Sequence, residues 1–354
     1  MTAIRTGAPA PSVEQLVTAV ADTVRDSYDL RPSDVRHLPT GTSTVNFLVT
    51  ESSGGRWFAK LYRDRAALPR ERDAITLAEY ARAGHVPVPA VRRTCGGELV
   101  NDAGRLLMSL WEYVADAETA EAGLAGGRWS AVGTVLGRLH RRLAEHPAAT
   151  PALRPASRVR NLARSRIHFD RLINEYGRRG ALDPFEAWAL DAARQRRALL
   201  DRVAAILARL PMLTGQVVHG DLAAPNLMLR GDEVAAVIDF LPPTPRYVSW
   251  EIARIGCDPR TILLGDEWIT GLPDLLAAYR EEHPAARLDD LLATVAVGCA
   301  YTLASSYPLA EPLDNPGAVD ASLQAYGRAR HQAALLLLER LDEAEEVLRS
   351  STVL

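Results

Sequence analysis

The chain has 354 residues, 47% hydrophobic and 24% charged, with a net charge of −3. This is the balance of an ordinary soluble protein long enough for two cores, and it argues against a general nucleic-acid binder. Cys95, Cys257 and Cys299 are too far apart for a disulfide framework or a zinc spacing, so a reducing, cytoplasmic setting is expected.

The N-terminus lacks the apolar core of a signal peptide. The most apolar window, Leu291 to Ala304, is too short to span a bilayer and reads as a buried helix, so no membrane association is expected. Of 41 basic residues, Lys60 is the only lysine. Against a background of arginine, that position asks for a compact ammonium rather than a planar fork.

In chain order, residues 12–28 carry Val13, Leu16, Val17, Val20 and Val24 at helical spacing after a capping Ser12, which predicts an amphipathic packing helix. Three short strands follow, over 35–38, 45–50 and 56–62. The first two flank a hydroxyl-rich turn, 39–44. Gly41, Ser43 and Thr44 in that turn could approach phosphates with backbone N–H groups and hydroxyls, although an ordinary hairpin looks the same. Lys60 sits on the third strand. Residues 69–84 read as a helix with Glu71 in its first turns, then comes His85-Val86-Pro87-Val88-Pro89. A strand over 105–111 leads into Trp111-Glu112-Tyr113-Val114.

The rest reads as mostly helical. A helix over 131–143 carries Leu136-Gly137-Arg138-Leu139-His140, in which His140 reads as a packing or hydrogen-bonding residue. Residues 154–179 hold eight arginines against Asp170 and Glu175, with an apolar stripe, and predict an amphipathic helix with a basic outer face. Asp183-Pro184-Phe185-Glu186 is a helix start for a run to about 210. Further helices are expected over 273–282, 288–307 and 319–349.

The most informative stretch is 217–240, VVHGDLAAPNLMLRGDEVAAVIDF. Arg230-Gly231-Asp232-Glu233 separates two apolar runs, a hairpin signal that brings Asn226 near Asp239, with Asp221 on the preceding loop. Two carboxylates and an amide oxygen suit Mg²⁺, which takes a few protein oxygens plus substrate phosphates.

The order Asp221, Asn226, Asp239-Phe240, with His219-Gly220-Asp221-Leu222, resembles the aminoglycoside phosphotransferase and choline kinase family of protein-kinase-like proteins. The resemblance implies an α+β bilobal fold. Residues 1–111 would form a small antiparallel-sheet lobe and 112–354 a larger helical lobe. It implies ATP and Mg²⁺ as cofactors, with Asp221 as the catalytic carboxylate and Asn226 and Asp239 as metal ligands. Lys60 would hold the nucleotide phosphates and pair with Glu71, Glu79 being the runner-up. Trp111, Tyr113 and Val114 would border the adenine, and Glu251 would brace the catalytic loop from behind. Leu241 and Ala223 depart from the family pattern, Leu241 suggesting a rigid segment after Asp239.

The expected activity is phosphorylation of a hydroxyl on a small molecule, such as an aminoglycoside-like antibiotic or an amino alcohol. One alternative is a peptide Ser/Thr kinase of natural-product maturation, with an acidic peptide docked on the Arg-rich 154–179 helix. A nucleotide-binding pseudokinase is the other.

Overall fold

The computed structural model describes residues 12–39, 44–104 and 106–351. The chain divides into two compact units, Met1–Ala83 with Val88–Asp116 and Gly84–Pro87 with Ala117–Leu354. Gly41 and Ser43 lie outside the described residues.

In the first unit, α1 (Val13–Tyr28) starts at Ser12, whose side chain and that of Gln15 form a reciprocal capping box. Strands β1 (Pro32–Leu38), β2 (Thr44–Glu51) and β3 (Arg56–Tyr62) follow, then α2 (Leu68–Ala83), β4 (Val91–Arg92) and β5 (Leu107–Glu112). They form one antiparallel sheet in the order β1-β2-β3-β5-β4. Alternation along the strands gives it two different faces. Phe47, Val49, Ala59, Leu61, Met108 and Leu110 form a core with Val20, Val24 and Tyr28 of α1. The opposite face carries Lys60, flanked in register by Asn46 and Ser109. Tyr62 on that face packs with Leu68 and Ile75 of α2.

The second unit opens with β6 (Glu118–Thr119) and α3 (Arg128–Ala144), followed by β7 (Ala152–Pro155), α4 (Leu162–Gly177), α5 (Pro184–Ala198) and α6 (Leu200–Ala208). Strands β8 (Met212–Val217), β9 (Leu227–Arg230), β10 (Glu233–Val237) and β11 (Pro245–Tyr247) make two small antiparallel sheets, β10-β9-β6 and β11-β8-β7. Among the described residues eight helices complete it: α7 (Val248–Gly256), α8 (Pro259–Ile262), α9 (Glu267–Glu282), α10 (Leu288–Leu292), α11 (Thr294–Leu303) and, beyond α12 (Glu311–Asp314), α13 (Ala321–Glu339) with α14 (Leu341–Ser350). Among the described residues no helix is long and apolar enough to cross a membrane.

Helix α3 crosses α9 at close range. A Cβ on Gly133 would lie 2.1 Å from the Leu275 carbonyl oxygen, and one on Gly137 2.3 Å from that of Tyr279. Only glycine fits at either position, and the contact fixes His140, one turn beyond Gly137, beside Tyr279.

Several expected helices are interrupted. The basic segment 154–179 is no single helix: β7, a 3-10 turn over Ala156–Arg158 and only then α4, whose cap is Asn161. Strand pairing of Ala152–Pro155 with β8 overrides the helical pattern there. The runs 183–210, 288–307 and 319–349 each split, at Leu199, Ala293 and Arg340. No Pro or Gly marks these breaks; packing bends the chain where local propensity would continue it. Helix α9 begins at Glu267, so Pro273 lies inside it rather than at its start.

Candidate active site

The hairpin predicted from 217–240 is present as β9 and β10, with Val237 opposite Leu227. Backbone hydrogen bonds tie its base to the loop before it. Ile238 N–H donates to the Asn226 carbonyl at 3.0 Å, and Leu241 N–H donates to that of His219 at 3.0 Å. Asp221, Asn226 and Asp239 are thereby brought to one end of the hairpin.

Asp221 is half-buried, and each carboxylate oxygen has a donor. Arg254 Nη2 lies 2.6 Å from Oδ1, and Asn226 Nδ2 lies 3.4 Å from Oδ2 and 2.9 Å from the Asp221 carbonyl. Arg254 also donates from Nε to the Leu222 carbonyl, so one guanidinium holds both the carboxylate and its loop. Asn226 uses its N–H₂ on Asp221, which leaves Oδ1 as its side-chain electron-pair donor. Asp239 is exposed, with φ of 60°. A left-handed aspartate is uncommon and persists only where its surroundings enforce it. Here the two backbone bonds flanking it do so.

Beneath the loop lies a closed polar network centred on Glu251, fully buried on α7. Its Oε2 accepts from His219 N–H at 2.8 Å and contacts His140 Nε2 at 3.0 Å, while Oε1 accepts from Gly220 N–H at 2.7 Å. His140 Nδ1 in turn meets Tyr279 Oη at 3.0 Å. Burial alone would push the Glu251 carboxyl up, but its bond to His140, the charges of His140 and His219, and the Gly220 N–H hold it below its usual range.

His219 has no capacity left for catalysis. Its Nδ1 accepts from Asp221 N–H at 3.2 Å, and Nε2 donates to the Ile238 carbonyl at 2.8 Å. Burial pushes its imidazole below its usual range, against the opposing pull of Glu251, the Ile238 carbonyl, Asp221 and Asp239. Both ring nitrogens serve the loop backbone. Leu241, the departure after Asp239-Phe240, packs on Gly220, where a Cβ would sit 3.0 Å from its own. The chain is then held again where β11 pairs with β8.

In the first unit, Lys60 is half-buried on β3. Glu71 lies in the first turn of α2, on the stripe of Leu68 and Ile75 that packs against the face carrying Lys60. Glu79 is engaged by Arg93 at 2.7 Å. Thr44 is buried and donates to Asn46 Oδ1 at 3.0 Å. Trp111 donates from Nε1 to Ser109 Oγ at 2.9 Å, and Tyr113 N–H donates to the Arg56 carbonyl at 3.2 Å, under whose guanidinium the Tyr113 ring lies. Those two donors are committed within the sheet. Val114 follows, half-buried.

The sequence reading missed Arg254. Its signal was present: it stands three residues after Glu251 on one helix, so the two share a face and reach the same loop.

This antiparallel sheet with a hairpin-borne Asp/Asn/Asp set and a helical second unit is the protein-kinase-like phosphotransferase fold. A sequence model of the phosphotransferase enzyme family matches residues 34–288, and the chain belongs to that family. Among solved structures, spectinomycin phosphotransferase in complex with ADP and spectinomycin is similar with a TM-score of 0.62 at 13% identity, covering 98% of this chain and 100% of that one. An aminoglycoside phosphotransferase from Alicyclobacillus acidocaldarius gives 0.58 at 17% identity, covering 98% and 99%. Amicoumacin kinase in complex with AMP-PNP and Ca²⁺ gives 0.54 at 15% identity, covering 90% and 92%. At these identities the likeness establishes the fold alone. No curated protein matches the sequence.

Proposed function

We propose that the protein transfers the γ-phosphoryl group of ATP to a hydroxyl of a small molecule, with Mg²⁺ as cofactor. The observation that carries this reading is the Asp221 carboxylate, half-exposed, held by Arg254 and flanked by Asn226 and Asp239. Phosphoryl transfer asks a protein for positioning and charge neutralisation rather than covalent chemistry.

In this reading Asp221 orients the acceptor hydroxyl and takes its proton as the new O–P bond forms and the bond to the ADP oxygen breaks. Asn226, through Oδ1, and Asp239 would hold the metal. Their donor set of one carboxylate and one amide oxygen, completed by phosphate oxygens, fits Mg²⁺. When bound, the ion neutralises charge on the phosphates. Lys60, directed by Glu71, is assigned to those phosphates, with Gly41, Ser43 and Thr44 over them and Trp111, Tyr113 and Val114 along the base.

The similar solved structures named for small-molecule substrates, spectinomycin, amicoumacin and glucosamine among them, support a small-molecule acceptor. An acidic peptide would dock on the basic 154–179 segment, part of which is already neutralised: Arg166 pairs with Asp201 at 2.5 Å, Arg171 forks onto Asp314 at 2.7 and 2.9 Å, and Arg179 pairs with Glu186.

Incubating the chain with Mg-ATP and a panel of hydroxyl compounds should release ADP with at least one of them. Asp221→Asn should keep nucleotide affinity and lose turnover by roughly 10²–10⁴-fold. Unchanged turnover would remove Asp221 from this role.

A further inference from the structure

Between β7, β11, α7 and α11 lies a cavity of about 350 Å³ whose lining includes Arg154, Arg158, Arg246, Tyr247, Trp250 and Tyr301. None of these residues belongs to the catalytic loop or to the hairpin. No aspartate or glutamate lines it. Among the described residues no carboxylate pairs with Arg154, Arg158 or Arg246, whereas Arg166 and Arg171 of α4 each have one.

Two polar atoms here are buried without a partner, Nε of Arg246 and Nε1 of Trp250, whose side chain is only 4% exposed. Unsatisfied buried donors are rare and costly, and each asks for an acceptor. The walls are aromatic: Trp250 and Tyr301 meet edge to face with centroids 5.5 Å apart. Tyr247 donates its own hydroxyl to the Pro155 carbonyl, so its polar end is occupied. Three guanidiniums, orphaned N–H groups and flat apolar walls define one ligand chemistry, since a carboxylate or phosphate matches the guanidinium fork.

We propose that this cavity binds a small organic anion, a carboxylate or phosphate carried on a flat unsaturated frame. The Trp250 ring that forms its wall also supports Arg254, at 5.3 Å, with Arg246 at 4.9 Å. Arg254 is the residue that grips Asp221. The anion therefore binds one aromatic ring away from the arginine that orients the proposed base, either as the charged end of the acceptor or as a separate effector. The cavity's ligand chemistry stands on its own residues; its link to the acceptor rests on the phosphotransferase reading.

Calorimetric titration of the full chain with phenyl phosphate, inorganic phosphate and phenol, with and without saturating AMP-PNP, tests the site directly. Phenyl phosphate should bind in both conditions, at least tenfold tighter than inorganic phosphate, and phenol should not bind. Arg158→Ala, at an exposed position, and Arg246→Ala should each weaken phenyl phosphate by tenfold or more while AMP-PNP affinity stays the same. Equal phenyl phosphate affinity in wild type and both variants overturns the proposal.

Two kinetic arms separate the sources of the anion. If it belongs to the acceptor, Arg246→Ala raises KM for carboxylated or phosphorylated hydroxyl compounds far more than for uncharged ones. If it is a separate effector, inorganic phosphate changes turnover of an uncharged acceptor in wild type and not in the variant. Because the titration requires no turnover, loss of the catalytic reading and loss of the anion site give different results.

Discussion

Trp250 and Glu251 are adjacent on α7, yet they serve opposite kinds of surroundings. On the Glu251 side, each carboxylate oxygen is bonded, and His140, His219 and Gly220 close the network without solvent. On the Trp250 side, arginines stand without carboxylates and two buried N–H groups have no acceptor. The difference separates two uses of polar groups. A saturated network fixes a shape, here the course of the catalytic loop, while an unsaturated one is completed from outside. On α4, by comparison, Arg166 and Arg171 have acidic partners.

The contrast can be broken most forcefully at Glu251. Glu251→Ala leaves two loop N–H groups and His140 Nε2 unpaired at a fully buried position, a loss of about 3–5 kcal/mol. Thermal melting should fall by roughly 10 °C. A melting point within a degree or two of wild type would mean that the network does not hold the loop.

Acid should weaken the second unit as a whole. Burial depresses the imidazoles of His283 and His331 to about 4 from 6.5. Their contribution is fully present above 6.5 and is lost as pH falls toward 4, because the unfolded chain binds the protons first. The depressed Glu251 carboxyl adds a further loss as pH falls through and below the ordinary carboxylate range. Melting temperature measured from pH 7 to 4 should therefore decline, and His331→Gln should flatten the upper part of that decline.

The smallest effect compares two arginines directly. Arg171→Ala removes a two-pronged surface pair with Asp314 and should cost about 0.5–1 kcal/mol in a urea titration. Arg158→Ala, with no acidic partner, should stay within about 0.5 kcal/mol of wild type, and should stabilise at low salt by relieving like-charge repulsion. A larger loss at Arg158 would show that it already has a structural partner, against the reading of the cavity.

What was legible in the sequence is what is local. Asp221, Asn226 and Asp239 sit within one hairpin and its approach loop, so spacing alone places them together. Lys60 was likewise placed on the third strand, where the structure has it. The apolar stripe of 154–179 read as one helix because nothing in its own composition announces the pairing of Ala152–Pro155 with β8, some sixty residues away in sequence. The same applies to Arg254, whose target, Asp221, lies 33 residues earlier. The cavity was the least legible feature. It is assembled from residues of β7, β11, α7 and α11, and what defines it, the lack of partners, is no property of any one segment.

Lys60 gives the experimenter a handle. Since Lys60 is the only lysine, a reagent selective for primary amines has a single side-chain target, on β3. Reductive methylation with isotope-labelled formaldehyde would therefore place one spectroscopic reporter at the residue assigned to the nucleotide, the terminal amine aside, without any mutagenesis.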